Sequence, residues 1–167
     1  SSGVAESVQY TTPIFELVNK TVYGLDFKPV GINSKDWVSI VVENNGKFLL
    51  VKQLRYGLMK DQLEFPCGMV EKDEDPVNAA ARELEEETGY KCGKIEKLIT
   101  IRTTVAFCNE KIDIYLATDL KETQQHLDDG EYVDVKAYDL DELISMIYDG
   151  VIEDSKTIAA IMAYKVK

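Results

Sequence analysis

The chain has 167 residues, 45% hydrophobic and 29% charged, which is enough for one domain with a proper core. Its net charge of −11 argues against unassisted binding to nucleic acid or an anionic membrane, because phosphate contacts need a basic surface. Three cysteines without a CxxC pair read as reduced thiols of a cytoplasmic protein. No signal peptide is evident, and no apolar run reaches the ~18 residues of a membrane span.

Residues 8–32 hold aromatic and β-branched side chains broken by Pro13, Gly24, Pro29 and Gly31. They predict short antiparallel strands at about 15–23 and 25–30. Tyr10, Tyr23 and Phe27 read first as cover for a sheet or a dimer contact, and second as stacking surfaces for a base. Residues 37–44, then Asn45-Gly46, then 47–54 read as a β-hairpin, since Asn-Gly is the strongest two-residue hairpin signal. The Val, Ile and Leu runs predict strands buried on both faces. Trp37 reads as core or edge packing, with a site-lining role as the alternative. Arg55 is either a surface ion pair or a phosphate contact, for which its planar fork suits it. Residues 63–68 form a short strand that ends on Gly68.

Residues 68–90, GMVEKDEDPVNAAARELEEETGY, predict an acidic loop and then a helix. Asp75 is a good N-cap, Pro76 fits the first helical position, and Gly89 ends the helix in the left-handed conformation. Val77, Ala80, Ala81 and Leu84 give an apolar stripe, while Glu83, Glu86 and Glu87 share one face. Such like charges destabilise a helix by roughly 0.2–0.5 kcal/mol per pair. Carboxylates in the last turns also oppose the macrodipole. Arg82 alone does not neutralise Glu83 and Glu85 to Glu87. Hard oxygen ligands on a rigid element suit Mg²⁺ or Mn²⁺. The plainer reading is a solvated acidic face.

Residues 94–104 and 111–118 read as two further strands, joined by a connection that carries Phe107, Cys108, Asn109 and Glu110. Residues 121–134 are polar and acidic and predict a loop beside the site, with Asp128, Asp129 and Glu131 as candidate carboxylates. His126, the only histidine, reads by default as a solvent-exposed loop residue, with a general base as the alternative. Residues 139–148 and 154–164 predict helices with apolar stripes at Leu143, Ile144, Ile147 and at Ile158, Ile161, Met162. Asp154 or Ser155 caps the second. This order of elements predicts an α/β (α+β) architecture, a mixed sheet between helical layers.

The span from Gly68 to Tyr90 resembles the Nudix box, GX5EX7REUXEEXGU with U aliphatic. Gly68, Glu74, Arg82-Glu83, Leu84, Glu86-Glu87 and Gly89 all match, and only Tyr90 departs, replacing an aliphatic residue. Such a match arises by chance at about 10⁻⁹ per register. TPIFE at 12–16, QLRYG at 53–57 and LEFPCG at 63–68 are similar to segments of ADP-ribose pyrophosphatases, and GVIEDSKTIAA resembles the family's closing helix. The resemblance implies a Nudix α/β/α sandwich over residues 36–167. It also implies short N-terminal antiparallel strands over residues 1–35 that build a homodimer and touch substrate.

For chemistry, the resemblance implies hydrolysis of the pyrophosphate bond of ADP-ribose or a related nucleoside diphosphate sugar, giving a nucleoside monophosphate and a sugar phosphate. Mg²⁺ or Mn²⁺ would be held by Glu83, Glu86, Glu87 and the Cys67 carbonyl, with Glu64 lining the metal site. Arg82 would hold a box glutamate, Arg55 would reach phosphate, and Glu86, Glu110 or a loop carboxylate such as Glu131 would act as base. The missing proline in the 105–110 connection departs from the family's usual pattern and argues for altered selectivity within it, with Phe107 as a residue that would pack against a base or sugar instead. Three alternatives stay open: a nucleoside triphosphate, a dinucleoside polyphosphate, or a catalytically silent ligand-sensing module.

Overall fold

Asn45 and Gly46 both take positive φ, 53° and 79°, and turn the strand β4 (Trp37–Asn44) back into β5 (Lys47–Arg55). That backbone matches the right-handed twist of the strands it joins, so the hairpin forms where its sequence signal predicts. The computed structural model describes residues 3–123 and 134–167. Before the hairpin come β1 (Val4–Thr11), β2 (Phe15–Val22) and β3 (Val30–Ser34). After it come β6 (Lys60–Glu64), β7 (Cys67–Met69), α1 (Pro76–Thr88), β8 (Tyr90–Arg102) and β9 (Lys111–Glu122). The chain closes with β10 (Asp134–Tyr138), α2 (Leu140–Tyr148) and α3 (Ser155–Lys165).

The main sheet runs β10-β5-β4-β9-β8, with β6 on β5 and β7 on β4. It is mixed: β4 pairs β9 in parallel, from Trp37↔Ile112 to Val42↔Ala117, and its other pairings are antiparallel. Alternation along β4 feeds two layers. Val38, Ile40 and Val42 pack with Ala79, Ala80 and Leu84 of α1 on one face. Val41 joins Phe48, Ile114, Leu143 and Ile161 under α2 and α3 on the other. The expected α/β/α sandwich with a mixed sheet is the architecture found.

β1, β2 and β3 form a separate antiparallel sheet. Its seam to the main body is backbone: Ile32 N–H donates to Phe107 O at 2.7 Å, and Asn109 N–H to Ile32 O at 3.1 Å. The Asn109 side chain accepts from Ser34 N–H at 2.8 Å. The connection 105–110 is thereby fixed against β3.

Several expectations need correction. The loop predicted at 121–134 is strand at both ends, since β9 runs on to Glu122 and β10 opens at Asp134, each extended by pairing with a neighbouring strand. The strand predicted at 25–30 is a turn, with Gly24 at φ 88°, and pairing resumes only at Val30. The strand β1 went unforeseen because all eight of its residues are exposed, so no burial pattern marks it. The single strand predicted at 63–68 is split at Phe65-Pro66. Glu64 pairs with Val51 of β5 and Cys67 with Ser39 of β4, and Pro66, which has no N–H, accepts from Ile40 N–H between them. On α1, Ala79 is buried and Ala81 is exposed, the reverse of the predicted stripe. Ala79, Glu83 and Glu87 follow one another at four-residue spacing, and the helix turns that ridge toward β7.

The corrected helix register is testable. Ala79→Gln places an amide in a filled apolar layer and is expected to destabilise by about 2–4 kcal/mol in urea denaturation, while Ala81→Gln stays within about 0.5 kcal/mol. Equal costs would show that α1 does not face the sheet in this way.

Candidate active site

The helix α1 delivers its carboxylates to the backbone of β7. A Cβ built on Gly68 would lie 2.0 Å from Glu83 Cδ, so only glycine lets Glu83 rest there. One turn on, Glu87 Oε2 accepts from Cys67 N–H at 3.2 Å. Gly68 thus works as a seat for Glu83.

Arg82 fixes this arrangement from the other side. Its Nε and Nη2 grip Glu74 through two bonds of 2.9 Å each, and Nη2 also donates to Met69 O at 3.1 Å. Its Nη1 reaches Glu83 Oε1 at 2.8 Å and Glu86 Oε2 at 3.4 Å. Glu74 therefore braces the loop, and hydrogen bonds from Arg82 and then from the Glu71 backbone push its carboxyl down to about 2. Glu86 stays half exposed.

The buried carboxylates behave oppositely. Burial, and then the nearby Glu83 charge, push Glu87 up to about 8. Burial raises Glu83 as well, against the pull of Arg82. Anionic oxygens held without enough positive charge are a donor set for a hard divalent cation. The cradle at Gly68 fits the same role, because it gathers carboxylate and backbone within reach of each other. Among the described residues no three acidic, histidine or cysteine side chains already stand at metal-binding spacing. In this structure Arg82 draws Glu83 and Glu86 toward itself.

A cavity of about 260 Å³ opens beside this cluster. Ile14, Trp37, Val38 and Ile112 give it an apolar floor, and Arg55, Cys67, Glu110 and Lys156 supply its polar wall. Cys67 belongs to both parts: its N–H meets Glu87 while its side chain lines the cavity. Its buried thiol is pushed up to about 12, so it stays protonated. Glu110 is held by Thr103 Oγ1 at 2.8 Å and Ser34 Oγ at 3.4 Å, on the connection that β3 anchors.

Arg55 and Glu64 form one ion-paired unit at the cavity. Glu64 is 1% exposed and sits behind the cavity wall. It accepts from Arg55 Nε at 2.7 Å, from Arg55 Nη2 at 2.6 Å and from Lys156 Nζ at 2.6 Å. Arg55 is therefore ion-paired and cavity-lining at once, and its Nη1 makes no hydrogen bond among the described residues. Phe107 is 54% exposed on the anchored connection and does not line the cavity. Asp128, Asp129, Glu131 and His126 lie outside the described residues.

Sequence reasoning missed Lys156 as a site residue and Ile14 as a lining residue. One signal for Lys156 was present. A lysine in the first turn of a helix faces the positive end of the macrodipole, so something else must hold it there.

The raised Glu87 carboxyl sets a pH dependence. An acid whose folded pKa lies above its unfolded value stabilises the fold below about pH 4.3 and loses that contribution as pH rises toward 8. In EDTA, Glu87→Gln is expected to match the parent chain at pH 4–5 and to exceed its stability at pH 8 by about 1–3 kcal/mol. A stability difference that does not change with pH would show Glu87 to be unstrained.

The NUDIX domain model matches residues 34–161 of the chain. A methanol dehydrogenase activator of Bacillus methanolicus is 44% identical over 124 residues, 73% of this chain and 67% of that protein. An ADP-ribose pyrophosphatase of Bacillus subtilis is 35% identical over 130 residues, 77% of this chain and 70% of that protein. A crystal structure of an ADP compounds hydrolase superposes with a TM-score of 0.80 at 19% identity, covering 96% of this chain and 90% of that one, a likeness of fold. A matched domain of this extent, with the box intact on α1 and β7, makes this chain a member of the Nudix family.

Proposed function

We propose that the chain is a divalent-metal-dependent pyrophosphohydrolase. It cleaves ADP-ribose or a related nucleoside diphosphate sugar to a nucleoside monophosphate and a sugar phosphate. The observation that carries this reading is the meeting at Cys67 of two opposed arrays. On one side stand carboxylates that burial leaves short of positive charge, and on the other a cavity walled by Arg55 and Lys156. Relatives named as ADP-ribose pyrophosphatases, from Bacillus subtilis and Mycobacterium tuberculosis, support the substrate class.

Glu83, Glu86, Glu87 and the Cys67 carbonyl are the residues proposed to hold the ion, Mg²⁺ or Mn²⁺. Such an ion neutralises phosphate charge and lowers the pKa of a bound water. The chain's own residues do the rest. Arg82 orients Glu83 and Glu86 while Glu74 holds Arg82. Arg55 offers Nη1 to a phosphoryl oxygen. Glu110, fixed by Thr103 and Ser34 at the cavity edge, is one candidate base, with Glu86 and Glu131 as the others. Phe107 packs a base or sugar at the exposed rim. Glu64 supports substrate binding from behind the wall, by holding Arg55.

Residues 1–35 are proposed to form a homodimer contact and to reach the substrate. Val4, Val8 and Tyr10 of β1 are 43%, 53% and 64% exposed on an edge strand, a surface that a second copy would cover. Ile14 already lines the cavity from this segment. No nucleic acid or membrane partner is proposed, and the cytoplasm is the compartment proposed.

Two outcomes are expected. Glu87→Gln should lower kcat for ADP-ribose by at least about 10²-fold with Mg²⁺ present, and excess EDTA should abolish turnover by the parent chain. A near-parental rate in either case rejects the metal-bound carboxylate cluster. Removal of residues 1–33 should shift the chain toward monomer in light scattering and raise KM for the same substrate. A full-length monomer with undiminished turnover rejects the shared role of those strands.

A further inference from the structure

Lys156 stands in the first turn of α3, where a cation opposes the helix dipole. The cap of α3 does not need it, because Asp154 Oδ2 already accepts from Thr157 N–H at 3.2 Å and from Thr157 Oγ1 at 2.6 Å. Its side chain is nevertheless only 14% exposed, and it ends between Glu64 Oε1 at 2.6 Å and Asp154 Oδ2 at 2.9 Å. Ordering and desolvating a lysine is costly, so the position has to be held deliberately by partners.

The partner of interest is Glu64. Arg55 Nη2 and Lys156 Nζ bond the same oxygen, Oε1, each at 2.6 Å. Two cations from β5 and α3 are therefore neighbours across one carboxylate oxygen that solvent does not reach. Both line the same cavity. An ammonium has three donors, and two of Lys156's are taken. Arg55 keeps Nη1 free among the described residues. In a chain of net charge −11, this cavity wall carries two cations that keep donors to spare after Glu64 and Asp154 are satisfied.

We propose that Lys156 contacts substrate. With Arg55 it forms a two-cation clamp for the diphosphate of a nucleoside diphosphate compound, and buried Glu64 presets the spacing of the two cations. The inference rests on the reading of this cavity as the substrate site. It gives Glu64 a positioning role: a fully buried carboxylate that converts two flexible side chains into a fixed pair of donors. Shared phosphate recognition, with no metal needed for it, separates this pair from the carboxylates across Cys67.

The test is calorimetric titration of the full-length chain with ADP in EDTA, where no turnover occurs, and with adenosine as the uncharged control. Lys156→Gln is expected to raise the Kd for ADP by about tenfold or more, to leave adenosine within about twofold, and Lys156→Arg to return ADP to within about threefold of the parent. Lys156→Gln strands Glu64 with one partner and can cost stability. The double variant Glu64→Gln/Lys156→Gln removes one anion and one cation but also frees Arg55 from its Glu64 partner, so, once shown to be folded by circular dichroism, it is expected to lose at least as much ADP affinity as Lys156→Gln. Parental ADP affinity in a folded Gln variant, or no ADP binding by the parent chain, overturns the proposal. Hydrolysis of ADP-ribose with Mg²⁺ is measured separately. A chain that binds ADP through Lys156 yet leaves ADP-ribose intact rejects the proposed activity and keeps the clamp.

Discussion

Glu83 rests on the backbone of Gly68 at a separation that no Cβ would allow. This close approach fixes the distance between α1 and β7, and much else follows from it. It turns the ridge of Ala79, Glu83 and Glu87 inward, which is why Ala79 is buried where Ala81 is not. It brings Glu87 onto the Cys67 amide and places Arg82 where one guanidinium bonds Glu74, Glu83, Glu86 and the Met69 carbonyl. The helix is locally unfavourable in isolation, with like charges on one face and carboxylates near its negative end. Burial of Ala79, Ala80 and Leu84 against β4 holds it in place.

Charge is distributed on a simple plan around Cys67. Carboxylates gather on the α1 side, where burial raises Glu83 and Glu87. Cations gather on the cavity side, where Arg55 and Lys156 share Glu64. Glu64 is the hinge of this plan. Its carboxylate is shielded from water, and with Asp154 on Lys156 the set of Glu64, Asp154, Arg55 and Lys156 is balanced in charge. Lys156, the more buried of the two cations, is the partner whose removal leaves Glu64 least compensated.

The N-terminal sheet touches this plan at two points. Ile14 closes the apolar floor of the cavity, and β3 clamps the 105–110 connection through Ile32 and Asn109. That clamp sets where Glu110 stands, since Ser34 at the end of β3 also bonds its carboxylate. A segment with an almost wholly exposed first strand thus helps shape the site's rim.

The helix α1, its Asp75 and Gly89 boundaries, the Asn-Gly hairpin and the box spacing were legible because each is a local code. Turn conformation, the left-handed glycine and 3.6-residue periodicity act within a few residues of where they are written, and Asp75 marks the start of α1 although its side chain makes no cap hydrogen bond. The same holds for the pairing of Arg82 with Glu86, one turn along the helix. The roles of Glu64 and Lys156 were not legible, because 92 residues separate them and only the packing of α3 against the main sheet joins them. The rotation of α1 by one position, the split of residues 63–68 at Pro66 and the fixing of Glu110 by Ser34 belong to the same class. By itself the sequence determined which chemistry is present, through residue types at fixed short spacing. The tertiary structure decided which charges are buried, which share a partner and which face the cavity, because burial and long-range pairing exist only once the layers have closed.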